Sequence, residues 1–172
     1  RTNGGSVLRQ AEASAQRLLS MLKQETGERV ATLRDAMRDT MEAGVGIYRK
    51  HDTMQATCET LAQLRERYRS GVGLDDRNRA FNTEWLTAIE LGYMLEVAQA
   101  LAHSALQRKE SRGAHFRLDG YEERDDENFL VHSMAHYRGN AAPLIDYAPV
   151  TITKSAPRTR TYGGAGKKAE MT

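Results

Sequence analysis

Residues 91–106 have the sequence LGYMLEVAQALAHSAL, in which Glu96 is the only formally charged residue. The stretch contains no proline and consists mainly of residues that favour helices. Asn82 is a good N-cap upstream of it, so the pattern predicts one long helix from just after Asn82 to about Lys109. Because this helix is apolar nearly all round, we expect it to be central and buried on several sides.

Three more helices are predicted upstream, at about residues 7–23, 28–43 and 53–70. The last of these has Asp52 at its start and Gln55 three residues later, which is a variant of the capping box. Each helix has apolar residues on one face at intervals of three and four. These inner-face positions are Leu8, Ala11, Ala15, Leu18 and Leu22, then Val30, Leu33, Met37 and Met41, and finally Met54, Cys58, Leu61, Leu64 and Tyr68. Helices of this kind joined by short turns predict an antiparallel bundle with the second, third and fourth helices as its core. The first helix is expected to lie alongside them or to form an arm.

The chain after the long helix is predicted to be less regular. Residues 111–128 have no clear periodicity, whereas residues 129–137 alternate partly and predict a strand. A turn at 138–142 and a returning strand at 144–147 would follow. The predicted division is an N-terminal helix or arm at 1–25, a helical bundle with a charged loop at 26–137, a short β or irregular extension at 138–161, and a flexible tail at 162–172.

The composition excludes several classes of protein. The chain has 172 residues, of which 28% are charged and 40% hydrophobic, and this suits one domain with a true core. No run of about 18 apolar residues is present, so no direct membrane insertion is expected. The only cysteine, Cys58, rules out an internal disulfide and a multi-cysteine metal site, and it is expected to be a buried, inert thiol. Since the sequence begins with Arg1 and not methionine, we expect a part of a longer chain.

The net charge of +2 is unevenly distributed. Residues 154–172 contain five basic residues against one acidic residue, so the remaining chain is slightly acidic. A basic tail on a nearly neutral body does not match a nucleic-acid groove, and no nucleic-acid partner is expected.

Residues 109–119, KESRGAHFRLD, and residues 123–133, ERDDENFLVHS, concentrate basic, acidic and imidazole groups in a turn-prone region. Their guanidinium groups could hold a dicarboxylate, because arginine matches a carboxylate bidentately. Residues 108–127, however, contain five Lys or Arg against seven Asp or Glu, whereas a free anion site needs excess positive charge. A self-satisfied salt-bridge network or an interface with another surface is therefore favoured. The candidate domain-interface residues are Arg112, Gly113, His115, Arg117, Asp119, Arg124, Asp125 and Asp126. Gly113 is expected to supply a backbone angle or a close approach that a side chain would block.

No catalytic, cofactor-binding or metal-binding residue is predicted in this chain. His132 and His136 have a metal-ligand spacing, but no third ligand is evident and ordinary histidines are favoured. His103 is expected to be a hydrogen-bonded core or interface residue. The sequence GGAGKK at 163–168 lacks the first glycine and the final Ser or Thr of a phosphate loop. No G-x-G-x-x-G follows a predicted strand, so a dinucleotide site of the usual kind is not expected.

The charged stretch resembles the C-terminal region of the flavoprotein subunit of fumarate reductase and succinate dehydrogenase. In that family a segment ESRGAH-x-R-x-D is followed by RDD-x-N-x-L-x-H. The likeness includes MEAGVGIYR at 41–49, FNT at 81–83 and the segment from 157 to 164. The segments at 102–105 and 108–115 resemble the fumarate reductase branch especially, and that branch is favoured.

The resemblance implies a mainly α fold, namely an antiparallel up-down helical bundle. It would have a spectrin-repeat-like three-helix core plus a preceding helix, and a small C-terminal β or irregular segment. Residues 1–25 would lead in from a flavin domain that this sequence does not contain. The charged stretch would face that domain and the capping domain.

The resemblance also implies a function for the parent protein, an oxidoreductase that interconverts fumarate and succinate. The parent would carry covalently attached FAD and exchange electrons with quinone through the iron–sulfur subunit of a membrane-anchored complex. Such a subunit is cytoplasmic and peripheral on the inner face of the cell membrane. Flavin and catalytic groups of the family belong to earlier domains, so this chain is expected to be a bracing domain that is inactive alone and binds no FAD.

Two other interpretations of the sequence remain open. The chain could be a stand-alone helical protein-interaction module without an enzymatic parent. It could also be the C-terminal domain of an L-aspartate oxidase, which has a similar S-R-G-x-H segment in a helical bundle, although RDDENFLVH at 124–132 fits the respiratory branch better.

Overall fold

The structure is a computed structural model that describes residues 4–158. The predicted tail at 162–172 lies outside these residues. In chain order the elements are α1 (Gly4–Met21), β1 (Glu28–Arg29), α2 (Val30–Val45), β2 (Tyr48–Arg49), α3 (His51–Ser70), β3 (Val72–Gly73), α4 (Thr83–Gln107), β4 (Phe116–Arg117), α5 (Asp126–Phe129), β5 (Val131–His136) and β6 (Leu144–Pro149). The mainly α class and the four predicted helices are confirmed. No helix within residues 4–158 is long and apolar enough to cross a membrane.

Two short parallel pairings establish the up-down order of the three core helices. β1, at the start of α2, pairs with β3, at the end of α3. β2 connects α2 to α3, and it pairs with β4, which follows α4. The start of α2 therefore lies beside the end of α3, and the end of α4 lies beside the α2–α3 connection. These neighbours make α2, α3 and α4 an antiparallel three-helix bundle.

The core of the bundle lies between the facing sides of α2, α3 and α4. Leu33, Leu61 and Leu91 are completely buried there. Most of the predicted inner-face positions of the second and third helices are buried, and Met41 and Tyr68 pack against the core from its edge. Cys58 is buried as expected, and burial raises the pKa of its thiol to about 11. A thiol with that pKa stays protonated and unreactive near neutral pH.

The first helix differs from the prediction for its inner face. No residue of α1 is buried, and Leu8 of the predicted stripe is 60% exposed. The chain joins the core at the last turn of α1, where Leu19 and Met21 pack against it from the edge, and at the buried Leu22. The indole Nε1 of Trp85 donates a hydrogen bond to the carbonyl of Leu18, at 3.1 Å, and ties this end of α1 to α4.

The predicted capping box at the start of the third helix is wrong. The N-cap of α3 is Lys50, whose side chain makes no capping hydrogen bond, and Asp52 lies within the first turn. The backbone N–H of His51 instead donates to Oδ2 of Asp119, at 2.5 Å. By contrast, the predicted cap of α4 is confirmed, because Oδ1 of Asn82 accepts from the backbone N–H of Trp85 at 2.7 Å.

The predicted strand, turn and returning strand form an antiparallel hairpin of β5 and β6, with Val131 opposite Pro149 and His136 opposite Leu144. This hairpin packs against α4. The predicted division between residues 137 and 138 falls just after β5, and the division into segments stays a prediction.

The expectation that the long helix is buried on several sides is only partly correct. One side of α4 is buried against α2 and α3, with Ala88, Leu91 and Leu95 at 1% exposure or less. The opposite side carries large apolar side chains that are more than half exposed, including Tyr93 and Val97. The helix is apolar all round, but the described part of the chain covers only part of its circumference.

Candidate functional site

The candidate site is the charged loop, residues 108–126, which follows α4 at one end of the bundle. β4 lies within the loop and joins it to the α2–α3 connection. The backbone N–H of Phe116 donates to the carbonyl of Ile47, and the N–H of Leu118 donates to that of Arg49, at 3.1 and 2.9 Å. The loop therefore closes over the ends of all three core helices.

Glu110 is at the centre of the charged loop and is completely buried. Its Oε1 accepts hydrogen bonds from Nε of Arg108 and Nε of Arg112, both at 2.8 Å. Its Oε2 accepts from Nη2 of Arg112 and from the backbone N–H of Asp125, both at 2.9 Å. Burial alone would raise the pKa of Glu110, but the hydrogen bonds from Arg112, Asp125 and Arg108 lower it below its ordinary value.

Arg112 extends this network to the far end of the loop. Its Nη2 also donates to Oδ1 of Asp126 at 2.6 Å, and Oδ2 of Asp126 accepts from Nη2 of Arg124 at 2.7 Å. The hydrogen bonds to Glu110 and Asp126 raise the pKa of Arg112. The Arg112 hydrogen bond, together with the charges of both arginines, lowers the pKa of Asp126. Arg124 and Asp126, which are distant from Glu110 in the sequence, thus belong to the same ionic network.

Arg117 and Asp119 form a second ion pair that caps two helices. Arg117 is 1% exposed, and its Nε and Nη2 donate to the two carboxylate oxygens of Asp119 at 2.8 and 2.7 Å. Nη1 of Arg117 donates to the carbonyl of Arg108, the C-cap of α4, at 3.0 Å. Asp119 also accepts from the first N–H of α3, as described above. Each charge therefore lies at the helix end whose dipole it complements.

His115 connects the loop to the end of α2 through Arg49. The imidazole Nε2 lies 3.1 Å from the carbonyl of Arg108, and Nδ1 lies 2.6 Å from Nη1 of Arg49. A carbonyl can only accept, so these partners assign the proton to Nε2 and leave Nδ1 to accept from Arg49. Arg49 also donates to the carbonyls of Gly46 and Val45, at 2.6 and 2.9 Å, at the end of α2. Burial lowers the pKa of His115, and the neighbouring arginines lower it further.

The remaining loop residues shape its connection to the hairpin. Asp125 is the N-cap of α5 and accepts from the backbone N–H groups of Glu127 and Asn128 at 3.1 and 3.0 Å. Arg108 donates from Nη1 to Oγ of Ser133 on β5 at 3.1 Å, and its guanidinium lies 5.6 Å from the ring centroid of Phe129. The loop, α5 and the hairpin are thereby held together.

Gly113 lies at the exposed tip of the loop, between Arg112 and His115, which are paired by two backbone hydrogen bonds of 2.9 and 3.1 Å. Its φ of 61° is in the left-handed region, so the expected backbone angle is confirmed. The expected close approach does not occur within the described residues, because a Cβ at this position would meet nothing within 4 Å.

The structure brings the predicted residues together as a self-satisfied ionic network. All four arginines of the loop are paired with carboxylates, and the carboxylates of Asp119 and Asp126 are paired in turn. Sequence reasoning missed Glu110, Arg108 and Arg49, although the alternation Arg108–Glu110–Arg112 is visible in the sequence. The sequence around Arg49 did not indicate its role in the network, because its partner His115 lies 66 residues away.

The described residues do not fit an FAD site. Within residues 4–158 no G-x-G-x-x-G loop joins a strand to a helix, and the four arginines of the charged loop are already paired with carboxylates. No cluster of three His, Cys, Asp or Glu in this range could hold a metal ion. His132 and His136 lie on β5, and Nε2 of His136 is 4.0 Å from Oδ2 of Asp146. His103 is partly buried inside the bundle, and burial lowers its pKa.

A family model of the fumarate reductase flavoprotein C-terminus matches residues 34–162. The chain belongs to this family. It is 48% identical to the fumarate reductase flavoprotein subunit of Haemophilus influenzae and 45% identical to that of Escherichia coli, over 98% of the chain in each case. It is 40% identical, over 82% of the chain, to the succinate dehydrogenase flavoprotein subunit of Coxiella burnetii.

Solved structures agree with this assignment. A structure of Escherichia coli quinol fumarate reductase superposes with a TM-score of 0.86 at 45% identity and covers 95% of the chain. A Mycobacterium smegmatis Sdh1 complex superposes with a TM-score of 0.71 at 29% identity and covers 84% of it. The chain spans about 28% of the fumarate reductase flavoproteins that it matches.

Replacing Glu110 by glutamine should strongly destabilise the chain. The substitution leaves the guanidinium groups of Arg108 and Arg112 without their shared buried counter-charge, and breaking such a cluster costs about 3–5 kcal/mol of unfolding free energy. Urea unfolding followed by circular dichroism measures this loss. The matched control, Glu127→Gln at an exposed position, should change the free energy by no more than about 0.5 kcal/mol. Equal stability of the two variants would contradict a central role for Glu110.

Acid should destabilise the chain through His115. Because the pKa of His115 is lowered in the folded state, the unfolded chain binds the proton first as the pH falls. The contribution to stability is therefore complete above the ordinary pKa of 6.5 and is lost as the pH falls from there towards the lower folded value. Urea midpoints measured between pH 8 and about 5 should fall less steeply for His115→Gln than for the unmodified chain.

The slope should be reduced in His115→Gln but not abolished, because burial lowers the pKa of His103 in the same direction. Glutamine keeps a donor for the Arg108 carbonyl and an acceptor for Arg49. The control His132→Gln, at an exposed position on β5, should leave the slope unchanged. Identical slopes for His115→Gln and the unmodified chain would refute the assigned role of His115.

Proposed function

We propose that this chain is the C-terminal bracing domain of a flavoprotein subunit that interconverts fumarate and succinate. The observation that carries the proposal is the family match over residues 34–162, together with 45–48% identity to fumarate reductase flavoprotein subunits. The higher identity to these than to the succinate dehydrogenase of Coxiella burnetii supports the fumarate reductase branch.

The proposed cofactor of the whole subunit is covalently attached FAD, held by residues outside this chain. The flavin supplies hydride-transfer chemistry when bound, and the present residues contribute rigidity and not catalysis. The proposed electron partners are an iron–sulfur subunit and quinone, in a complex anchored at the inner, cytoplasmic face of the cell membrane. One solved relative is a quinol-fumarate reductase with menaquinol molecules, which supports a quinone partner.

The proposed surface towards the rest of the subunit includes the charged loop. Its interface residues are Arg112, Gly113, His115, Arg117, Asp119, Arg124, Asp125 and Asp126. The tip at Gly113 and Ala114 is exposed, and the ionic network beneath it holds the tip in one conformation. A loop that is rigid before docking loses little entropy on docking, so it suits a surface that must position a neighbouring domain.

The two alternative functions receive less support. A stand-alone interaction module has no counterpart among the matches described above, which are flavoprotein subunits. The L-aspartate oxidase interpretation is likewise not favoured, because the family model and the relatives named above are those of fumarate reductase and succinate dehydrogenase.

The whole flavoprotein subunit, expressed with its partner subunits, should contain bound flavin and reduce fumarate with an artificial electron donor. Residues 1–172 expressed alone should be colourless and inactive, because no flavin site is built from the described residues. Absorbance spectra and a fumarate reduction assay measure both. Flavin binding by the 172-residue chain would contradict the bracing role.

The tip of the charged loop should be shielded from solvent in the whole subunit. The backbone N–H groups of Gly113 and Ala114 should exchange with deuterium quickly in the isolated chain and slowly in the whole subunit, since docking covers them. Hydrogen-exchange mass spectrometry of the peptide containing residues 109–117 measures the difference. The matched control is the peptide of the exposed segment at 77–81, which belongs neither to the charged loop nor to the hairpin, and for which docking of the loop predicts no change. Unchanged exchange at the tip would argue against the charged loop as the interface.

A further inference from the structure

The exposed side of α4 carries a stripe of large apolar side chains that only Glu90 interrupts. We define the outer stripe as Leu86, Tyr93, Met94, Val97 and Leu101. These residues recur at the spacing of one helix face, and all but Met94 are more than half exposed. Glu90 is the only charged residue on that face between Leu86 and Leu101. An exposed, largely apolar surface of this kind is typical of an interaction site.

A cleft of about 200 Å³ adjoins the outer stripe and contains an unsatisfied polar group. Val97 belongs both to the stripe and to the lining of the cleft, whose other walls come from Ala100 on α4 and from the hairpin and its turn. Gln99 also lines the cleft and is 2% exposed, and neither its Oε1 nor its Nε2 has a hydrogen-bond partner among residues 4–158. A buried side-chain amide without hydrogen-bond partners is unfavourable in free energy. A partner that offers Gln99 one donor and one acceptor would therefore stabilise the cleft.

Arg65, the other polar group deep in this cleft, is already satisfied. Its guanidinium donates to Oε1 of Glu96 at 2.8 Å and to the carbonyl of Gly139 at 2.7 Å. The guanidinium of Arg65 is therefore not free for an anionic ligand, and the other arginine of the cleft, Arg138, lies at its exposed turn. An apolar partner surface that contains a peptide group or a side-chain amide would supply the hydrogen-bond donor and acceptor that Gln99 lacks.

The size of the outer stripe favours an occupant that is tethered to the chain. From Leu86 to Leu101 the helix rises about 22 Å, and a strip about 11 Å wide covers roughly 250 Å². A stable interface between separate proteins buries about 800 Å² on each partner. A covalently linked neighbour instead binds at an effective concentration in the millimolar range, so a smaller surface suffices. The relatives are more than three times as long as this chain, which covers 28% of them, so a subunit of their length would supply such a neighbour.

We propose that the outer stripe and the cleft beside it form a docking surface for an apolar part of the same flavoprotein subunit outside residues 1–172. This inference rests on the proposed function, and it assigns the apolar contact to a different surface from the charged loop. The arginines of the loop are paired internally and hold it in place, so the loop orients the contact, whereas the outer stripe supplies the apolar area that is removed from water on docking.

The test is site-specific photo-cross-linking in the whole subunit, expressed with its partner subunits. A benzophenone amino acid is incorporated in place of Tyr93 or Val97, and in place of Gln55 as the matched control. Gln55 is exposed on α3 and belongs neither to the outer stripe nor to the lining of the cleft. The expected result is a cross-link from positions 93 and 97 to the same polypeptide outside residues 1–172. No such cross-link should form from position 55. None should form from positions 93 and 97 when residues 1–172 are irradiated without the rest of the subunit.

The same preparation is assayed for bound flavin and for fumarate reduction. These assays distinguish a wrong docking surface from a wrong proposed function. An active complex in which positions 93 and 97 cross-link to another subunit, to a second copy or to nothing would overturn the docking surface and leave the proposed function intact. A colourless, inactive product would overturn both.

Discussion

The buried carboxylate of Glu110 is the interaction on which the end of the bundle depends. Two guanidinium groups and one backbone N–H converge on it, and its burial is complete. An unpaired charge at that depth would be strongly unfavourable, so Arg108 and Arg112 must both be in place. Through Arg112 the network reaches Asp126, and through Arg108 it reaches the hairpin. The conformation of an otherwise irregular segment is thereby determined by electrostatics and not by an apolar core.

The same segment terminates the three core helices. Arg117 binds the carbonyl end of α4, Asp119 binds the amide end of α3, and His115 holds the arginine that binds the end of α2. Helix ends leave unpaired backbone groups. In this fold the amide end of α3 is satisfied by Asp119, 68 residues away, whereas the carbonyl ends of α4 and α2 are satisfied by arginines that follow them closely in the sequence. A contiguous charged sequence thus serves as a common cap for the bundle. This explains why so many charges occur in a segment with no free anion site.

The long helix α4 has apolar side chains on both its buried side and its exposed side. Its buried side faces α2 and α3 with Ala88, Leu91 and Leu95, while its outer stripe is apolar without a partner in the described residues. A hydrophobic pattern indicates which residues avoid water, but it does not indicate which element covers them. The outer stripe is therefore consistent with membership of a family whose flavoproteins are more than three times as long as this chain.

The sequence by itself determined the helices, the hairpin, the buried thiol of Cys58 and the family, because these follow from local periodicity, turn residues and a distinctive motif. It also indicated a paired network, since acidic residues outnumber basic ones between 108 and 127. Only the tertiary structure decided which groups pair. The cap of α3 comes from Asp119 and not from Asp52, and Arg49 reaches His115, because chain folding brings together residues that have no local relation. Burial of Glu110 and exposure of Tyr93 were likewise decided by packing, since the burial of a residue depends on which element lies against it.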